Sequence, residues 1–486
     1  MSMPFLFRSA LALVLTLLLA ACGTLESQRS DEAALQPVIP SGALTPITPG
    51  NLDSWAVQGL QPPADLWQRL RAGFAMPDLD TDMVHDREDW YASRPEYIQR
   101  MADRSSKYLF HIVEELERRN MPTELALLPY IESAFNPQAV SHAKAAGMWQ
   151  FMPATGTYFD LRQNAFRDDR RDVLASTRAA LDYLQKLHDM FGDWHLALAA
   201  YNWGEGSVGR AMAKNQNLGL GVGYTDLSMP DETRMYVPKF QAVKNIIRDP
   251  AAFGVVLPDI GNHPYFDIVD IARDMDVELV AQLAGIGVDD FRTLNPSHNG
   301  PVILSAATTE VLLPWDNAQT FRRNLANHRD GRLASWTVWT TPRTMNAKEV
   351  ASSLGVDEKE LRSVNRIPAN MLIASGSALL VPRSAATLYD VAEELAHNGQ
   401  LKLMPQRQLR RTTVVARKGE TVATLARRYG VAAADVAEWN KVGRNTRFKT
   451  GQRLVIYRPA ATSTARASTA PKAPAQRART RQAAKR

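Results

Sequence analysis

The chain has 486 residues, of which 45% are hydrophobic and 22% are charged. These are globular values, and the length allows a sizeable core in about three domains of ordinary size. The formal net charge of +6 resides in residues 460–486, which hold seven Lys or Arg and no acid, so the rest of the chain carries +6 − 7 = −1. A near-neutral folded part without a basic, aromatic-lined face argues against nucleic-acid binding.

The N-terminus is organised like an export signal. Arg8 precedes an apolar run, Ala10 to Ala21, which is shorter than the roughly 20 residues that span a bilayer. The run ends in Leu-Ala-Ala-Cys, which resembles the bacterial lipobox. That resemblance implies a signal peptide at 1–21 and acylation of Cys22, the single cysteine; Gly23, rather than Asp, implies transport to the outer membrane. The alternative is a plain signal peptide with a stray cysteine. Residues 22–50 are polar and Pro-rich, which predicts a flexible tether.

Residues 51–250 are predicted to form one all-α domain. Apolar residues recur at three- and four-residue steps over Tyr97–Arg119, which predicts an amphipathic helix. Asn120 to Pro122 breaks this pattern, and Pro122 suits the first turn of the next helix. Asp172 and Asp193 are placed to cap two further helices.

Internal repeats follow the helical region. A shift of 75 residues aligns Gly355 with Gly430 and Asn365 with Asn440, and each copy predicts a strand, two helices and a strand. This pattern resembles LysM modules, small βααβ domains that bind N-acetylglucosamine-containing chains. The copy at 411–458 carries Lys-Gly-Glu-Thr near the family's Gly-Asp-Thr, whereas the copy at 335–383 has Pro-Arg-Thr-Met there and is predicted to be degenerate. A fainter copy, Phe266–Pro314, lies in the linker region 251–330.

Glu132 is the candidate catalytic residue. On the predicted helix after Pro122 it shares a face with Leu125, Leu128 and Phe135, and no Lys or Arg lies between residues 119 and 144. A carboxyl group on an apolar stripe without a cationic partner is expected to have a raised pKa. It would then stay protonated near neutrality, as a general acid must. The alternatives are an exposed helix end or a distant Arg partner.

Four ordered sequence runs surround this glutamate and carry a resemblance to the lytic murein transglycosylases of lysozyme-like fold, in particular the membrane-bound type D. The resemblance covers the chain from Cys22 to Pro459 and implies a lysozyme-like all-α catalytic domain followed by small α+β LysM modules. The runs are LPYIESAF (128–135), AGMWQFMP (146–153), AYN (200–202) and ETRMYVPK (232–239).

The resemblance also assigns roles to individual residues. It makes Glu132 the catalytic acid/base. It implies that Ser133 supports either the substrate's N-acetyl group or the local geometry. The other implied substrate-binding residues are Met148, which replaces the usual Leu and lines the cleft, Gln150, Tyr201, Asn202 and Tyr236. Plain core packing for Tyr201 and turn capping for Gln150 remain alternatives, and Trp149 and Trp203 are packing residues or sugar-stacking platforms.

The sequence runs around Glu132 offer no equivalent second acid, although glycosidases normally use two carboxylates. In the resembling family the acceptor is the substrate's own C6 hydroxyl, which implies cleavage of the MurNAc-GlcNAc β-1,4 bond with 1,6-anhydromuramoyl ends. The alternatives are a hydrolytic muramidase with the same cleft and a non-catalytic murein-binding lipoprotein. The nine His are scattered and no metal-binding motif occurs, so neither a metal nor another cofactor is expected.

The expected partners are peptidoglycan strands, GlcNAc-containing chains at the LysM modules, and the outer membrane at a lipid anchor on its periplasmic face. The tail, residues 460–486, is rich in Ala, Pro, Ser and Thr and is predicted to be disordered. It serves either as a solvated spacer or as a contact to anionic groups of the envelope.

Overall fold

The computed structural model describes residues 65–329, 331–384, 387, 389–406 and 409–459. The predicted signal peptide, Cys22, the tether and the basic tail lie outside the described residues. Within the described part, no helix is both long and apolar enough to cross a membrane.

The N-terminal part of the described chain is helical, with isolated β-bridges but no paired strands before residue 266. Short 3₁₀ turns occur at Thr123–Leu127, Tyr224–Asp226 and Pro250–Phe253. The α-helices are α1 (Leu66–Ala72), α2 (Asp82–Ala92), α3 (Pro95–Ser105), α4 (Leu109–Arg118), α5 (Leu128–Ser133), α6 (Pro153–Tyr158), α7 (Val173–Phe191), α8 (Trp194–Trp203), α9 (Glu205–Asn217), α10 (Asp231–Arg234) and α11 (Tyr236–Arg248).

Local sequence signals account for several helix ends. Asp172 and Asp193 each accept a hydrogen bond from the backbone N–H three residues on, and so begin α7 and α8 as predicted. The single helix predicted over Tyr97–Arg119 is wrong in one respect, because it divides into α3 and α4. The apolar steps continue across the break because both helices bury their apolar faces in the same core.

A buried ion pair ties the turn before α5 to α11. The Glu124 carboxylate, fully buried, lies 3.0 Å from Nζ of Lys244 and accepts the backbone N–H of Met76 at 2.7 Å. Lys244 also donates to the Met76 carbonyl at 2.9 Å. Removing one member of such a pair costs about 3–5 kcal/mol, because the other charge is left buried. The two segments are thus joined in the protein interior.

Three small modules with the order strand, helix, helix, strand follow the helical region, which confirms the predicted fold class. In the first, β1 pairs with β4; in the second, β5 pairs with β8; in the third, β10 pairs with β11, all antiparallel. Short strands pair as β2 with β3 and as β6–β7–β9. The elements are β1 (Phe266–Asp270), β2 (Met275–Asp276), α12 (Val277–Ala284), α13 (Val288–Leu294), β3 (Val302–Ile303), β4 (Glu310–Pro314), α14 (Trp315–Asn327), β5 (Trp336–Thr340), β6 (Met345–Asn346), α15 (Ala347–Leu354), α16 (Glu358–Val364), β7 (Met371–Ile373), β8 (Ala378–Pro382), α17 (Glu393–Asn398), β9 (Leu403–Pro405), β10 (Leu409–Val415), α18 (Val422–Tyr429), α19 (Ala433–Trp439) and β11 (Arg453–Pro459).

The repeated asparagines have one structural role in all three modules. Asn440 exchanges two hydrogen bonds with the backbone of Val455 in the closing strand, at 2.8 and 2.7 Å. Asn365 does the same with Leu380, and Asn295 with Leu312. Each amide therefore joins the end of the second helix to the sheet, which explains why the sequence repeats it.

The first two modules pack against the helical region through its 162–172 loop. Phe166 is buried in a cluster with Val302 and Leu304 of the first module and with Leu380 of the second. The Phe166 carbonyl accepts the backbone N–H of Asn299 at 2.8 Å. These two modules and the helical region therefore share a buried apolar cluster at the 162–172 loop.

Candidate active site

Glu132 lies on the short helix α5, which follows the 3₁₀ turn Thr123–Leu127. The prediction that Pro122 begins an α-helix is wrong: Pro122 precedes the 3₁₀ turn, and Pro129 occupies the first turn of α5. Phe135 lies beyond the end of α5 rather than on its face, and its side chain is still fully buried. The glutamate therefore lies near the end of one short helix that is buried at its start.

The surroundings of Glu132 favour its neutral form. Burial raises the pKa of Glu132 to about 7, and the negative charge of Glu232 adds to this; a hydrogen bond from Tyr236 and the charge of Lys239 act in the opposite direction. None of the salt bridges among the described residues includes Glu132. The carboxyl group is only partly exposed, so desolvation dominates.

Two tyrosines flank this carboxyl group. The Tyr236 hydroxyl donates a hydrogen bond to Oε1 of Glu132. The Tyr201 hydroxyl donates to the Trp149 carbonyl at 2.8 Å. Burial, and then the nearby Glu132 charge, hold the pKa of both phenols well above 10. Both tyrosines thus remain neutral hydrogen-bond donors near Glu132.

Ser133 joins α5 to the 146–151 loop. Its hydroxyl donates to the Met148 carbonyl at 2.9 Å. The Met148 side chain is 1% exposed and belongs to the main core. The expectation that the Met148 side chain lines the cleft is therefore wrong, because the loop turns this side chain inward to fill apolar space.

Gln150 closes the same loop. Its side-chain amide donates to the Gly147 carbonyl at 2.7 Å, which is the turn-capping alternative. Gly147 has φ +85°, and an added Cβ would lie 1.8 Å from the Arg170 carbonyl oxygen. Only glycine fits there. Gln150 is partly exposed, so its amide oxygen is available to a ligand.

Asn202 links α8 to the segment that carries Tyr236. Its Oδ1 accepts the Thr233 hydroxyl at 2.8 Å. Trp149 is fully buried and donates to the Thr177 hydroxyl at 3.1 Å, so it is a packing residue. Trp203 is partly buried against the main core.

Backbone strain concentrates around the glutamate. Ala134, Phe135 and Gln150 all have positive φ, between 51° and 53°, a region that costs a non-glycine residue roughly 1–3 kcal/mol. Such strain persists only where surrounding contacts impose it, and it clusters at functional sites. The hydrogen bonds of Ser133 and Gln150 supply those contacts.

Glu232 was missed by the sequence reasoning. It is exposed on α10, near enough to raise the pKa of Glu132. The available signal was its position four residues before Tyr236, one helical turn away. An acid therefore acts on Glu132 from within the fourth motif run, although whether Glu232 is equivalent to a second catalytic carboxylate stays a prediction.

The predicted site residues thus converge. Glu132 contacts Tyr236, and Ser133, Tyr201 and Gln150 all bind the backbone of the 147–149 segment. Within the described residues, no group of three or more His, Cys, Asp or Glu could hold a metal ion. The arrangement can hold and donate one proton at a partly exposed, partly desolvated carboxyl group.

Comparisons with known proteins place the chain in a family. Residues 111–220 match the Transglycosylase SLT domain, residues 265–330 match the "Lytic transglycosylase MltD, LysM-like domain", and residues 414–456 match the LysM domain. The chain is similar to the membrane-bound lytic murein transglycosylase D of Escherichia coli (strain K12), with 32% identity over 409 residues that cover 82% of this chain and 86% of that protein.

Two further relatives match shorter parts. A putative tributyltin chloride resistance protein of Alteromonas sp. (strain M-1) is 50% identical over 115 residues, 24% of this chain and 56% of that protein. The membrane-bound lytic murein transglycosylase C of Glaesserella parasuis serovar 5 (strain SH0165) is 27% identical over 144 residues, 27% of this chain and 40% of that protein. With the type D match along most of its length, the chain belongs to the membrane-bound lytic murein transglycosylase D family and is a peptidoglycan lytic transglycosylase.

Proposed function

We propose that Glu132 is the acid and then the base that cleaves the MurNAc-GlcNAc β-1,4 bond of peptidoglycan. The observation that supports this most strongly is the combination of a pKa of about 7 with a single tyrosine hydrogen bond and no salt bridge within the described residues. A general acid works best when its pKa lies near the operating pH. Because Tyr236 donates to Oε1, we assign the transferable proton to Oε2.

The proposed reaction has two proton transfers. Glu132 gives its proton to the glycosidic oxygen as the bond to the muramic C1 breaks, and the ionised carboxylate then takes the proton of the substrate's C6 hydroxyl. The C6 oxygen bonds to C1 and forms the 1,6-anhydro ring, so no water is consumed. The N-acetyl group can assist at C1, and the tethered nucleophile has a high effective concentration. Neither a metal nor another cofactor takes part.

Hydrolysis is the second candidate, and the nearby Glu232 is the observation that favours it. A second carboxylate can activate water in an inverting glycosidase. Glu232 is exposed on α10, the short helix that directly precedes α11 and its first residue, Tyr236. We therefore assign Glu232 an electrostatic role that raises the pKa of Glu132.

Mass spectrometry of digested sacculi separates these reactions. Wild-type protein should release fragments that end in 1,6-anhydromuramic acid, and Glu132→Gln should release none. Glu232→Gln should still give anhydro ends. Reducing ends from the wild type would support hydrolysis, and an active Glu132→Gln would exclude the assigned acid.

We propose direct contact with the glycan for Gln150, Tyr201 and Asn202, all partly exposed. Ser133 holds the 146–151 loop by donating to the carbonyl of Met148, whose side chain lies in the core. Tyr236 holds the carboxyl group of Glu132. Asn202→Ala should raise KM more than it lowers kcat, whereas Tyr236→Phe should change the pH profile.

We also propose anchoring through Cys22 at the periplasmic face of the outer membrane, after removal of residues 1–21. The lipobox-like run supports this proposal. Wild-type protein should fractionate with outer membranes, and Cys22→Ser should become soluble in the periplasm. Outer-membrane fractionation of Cys22→Ser would contradict the anchor.

The LysM modules are proposed to hold the enzyme on GlcNAc-containing strands, which raises the local substrate concentration. The third module, 411–458, has its own core. Truncation after Gln406 should therefore weaken binding to intact sacculi while turnover of short soluble fragments is preserved; an equal loss of both would reject this division of labour.

A further inference from the structure

A groove lies along the contact between the helical region and the first module. One wall comes from α4 and α7, and the other from β1, the two residues before it and the first residue of α14. The cavity measures about 690 Å³, within the range of ligand sites, which often form at domain interfaces. We call it the seam groove.

Two exposed aromatic side chains line the seam groove. Tyr265 and Trp315 are 37% and 48% exposed. The backbone N–H of Trp315 donates to the Tyr265 carbonyl at 3.0 Å, which continues the pairing of Phe266 with Pro314. The strand register therefore holds the two aromatic residues side by side, where both side chains are accessible to a ligand.

The charges on the opposite wall are already paired. Nη1 of Arg118 lies 2.6 Å from Oε1 of Glu115, and Nη1 of Arg119 lies 2.6 Å from Oδ1 of Asp182. Arg178 binds Asp182 as well, at 3.0 Å. Paired ions give a polar but nearly neutral surface, which suits sugar hydroxyls better than polyanions such as nucleic acids.

Lys107 provides one cation at the end of the seam groove. Among the described residues it forms no salt bridge, and its Nζ lies 6.0 Å from the Tyr265 ring centroid. Lys107 also lines an adjoining hollow of about 540 Å³, together with Asn136 and Pro137. These residues follow the Glu132-Ser133 pair, so the groove leads towards the active-site segment.

We infer that the seam groove binds a second stretch of the peptidoglycan glycan strand. Tyr265 and Trp315 present flat faces on which sugar rings stack, and Lys107 pairs with a carboxylate of the muramic acid substituent. This inference rests on the proposed function for its substrate. The groove is lined by β1, the start of α14 and the helices α4 and α7, so it lies apart from Glu132 and provides binding along the strand beyond the cleaved bond.

The test uses full-length Glu132→Gln protein, so that strands are bound without being cut. Purified peptidoglycan glycan strands should protect Trp315 from hydroxyl-radical oxidation, and Trp315→Ala should weaken strand binding about tenfold. Trp315→Phe should retain most of the affinity. The matched control is Tyr389→Ala, which removes another exposed aromatic side chain (83% exposed) and should leave binding unchanged.

Steady-state kinetics give the second readout, with Trp315→Ala introduced into protein that keeps the wild-type Glu132. Trp315→Ala should raise KM for long strands about tenfold and leave kcat and the turnover of short fragments unchanged. Unprotected Trp315, or equal binding by Trp315→Ala and Tyr389→Ala, would overturn the inference even if the wild type still produced anhydro ends. A wild type without lytic products would instead refute the proposed function. In that case the hydroxyl-radical protection of Trp315 would still show whether the seam groove binds glycan strands.

Discussion

Replacing Glu132 by glutamine should make the stability of the protein less dependent on pH. The pKa of Glu132 rises from an ordinary value of 4.5 to about 7 in the folded protein. Between these values the folded protein holds a proton that the unfolded chain has lost, so wild-type stability falls as the pH rises. At 1.36 kcal/mol for each pH unit, the loss attributable to Glu132 is about 3 kcal/mol.

Urea unfolding of both proteins at pH values from 4.5 to 8 measures this difference. The free energy of unfolding of Glu132→Gln, relative to wild type, should increase by about 3 kcal/mol across this window and then level off. Glu96→Gln changes an exposed glutamate of α3 and should shift stability by less than about 0.5 kcal/mol. A relative stability of Glu132→Gln that does not change with pH would refute the buried-acid argument.

Three further changes test other parts of the structure. Glu232→Gln removes a charge that raises the pKa of Glu132, so the alkaline limb of the pH–rate profile should move to lower pH; a shift to higher pH would contradict this. Gly147→Ala should lower stability by more than about 2 kcal/mol and abolish lysis because its Cβ has no space, whereas Gly209→Ala in α9 should be neutral or stabilising in thermal unfolding. Asn440→Ala should expose the third module to proteolysis, at a cost of about 1–3 kcal/mol, without slowing turnover of short fragments; intact protease resistance would refute its role.

Local features of the fold follow from the sequence because they depend on neighbouring residues. The caps at Asp172 and Asp193 and the stop at Gly430 are formed by side chains or backbone within a few positions. The repeat at Asn365 and Asn440 is visible because each module needs the same bond to its closing strand.

Long-range contacts do not follow from periodicity. Nothing around Phe166 indicates that it packs between two modules nearly 140 and 215 residues further along the chain. Truncation after residue 331, at the end of the predicted linker region 251–330, would remove Leu380 and Ala396 from that cluster. A cut after Gln406 is the better separation of binding from catalysis.

The sequence predicts which residues form the active site better than it predicts which way their side chains point. Glu132, Tyr201 and Tyr236 are brought together as the motif runs imply. The inward turn of Met148 and the closeness of Glu232 depend on how two loops fold back against α5. Those loop conformations involve residues with positive φ, such as Gln150, which no pattern of apolar residues predicts.

The most direct test is the titration of Glu132 itself, by ¹³C NMR of glutamate carboxyl groups, with Glu132→Gln used to assign its signal. The predicted midpoint is about 7, and Tyr236→Phe should move it upward, because the tyrosine hydrogen bond lowers this pKa. A midpoint near the ordinary 4.5 would mean that the carboxyl group is ionised at neutral pH, and it would contradict its assignment as the acid.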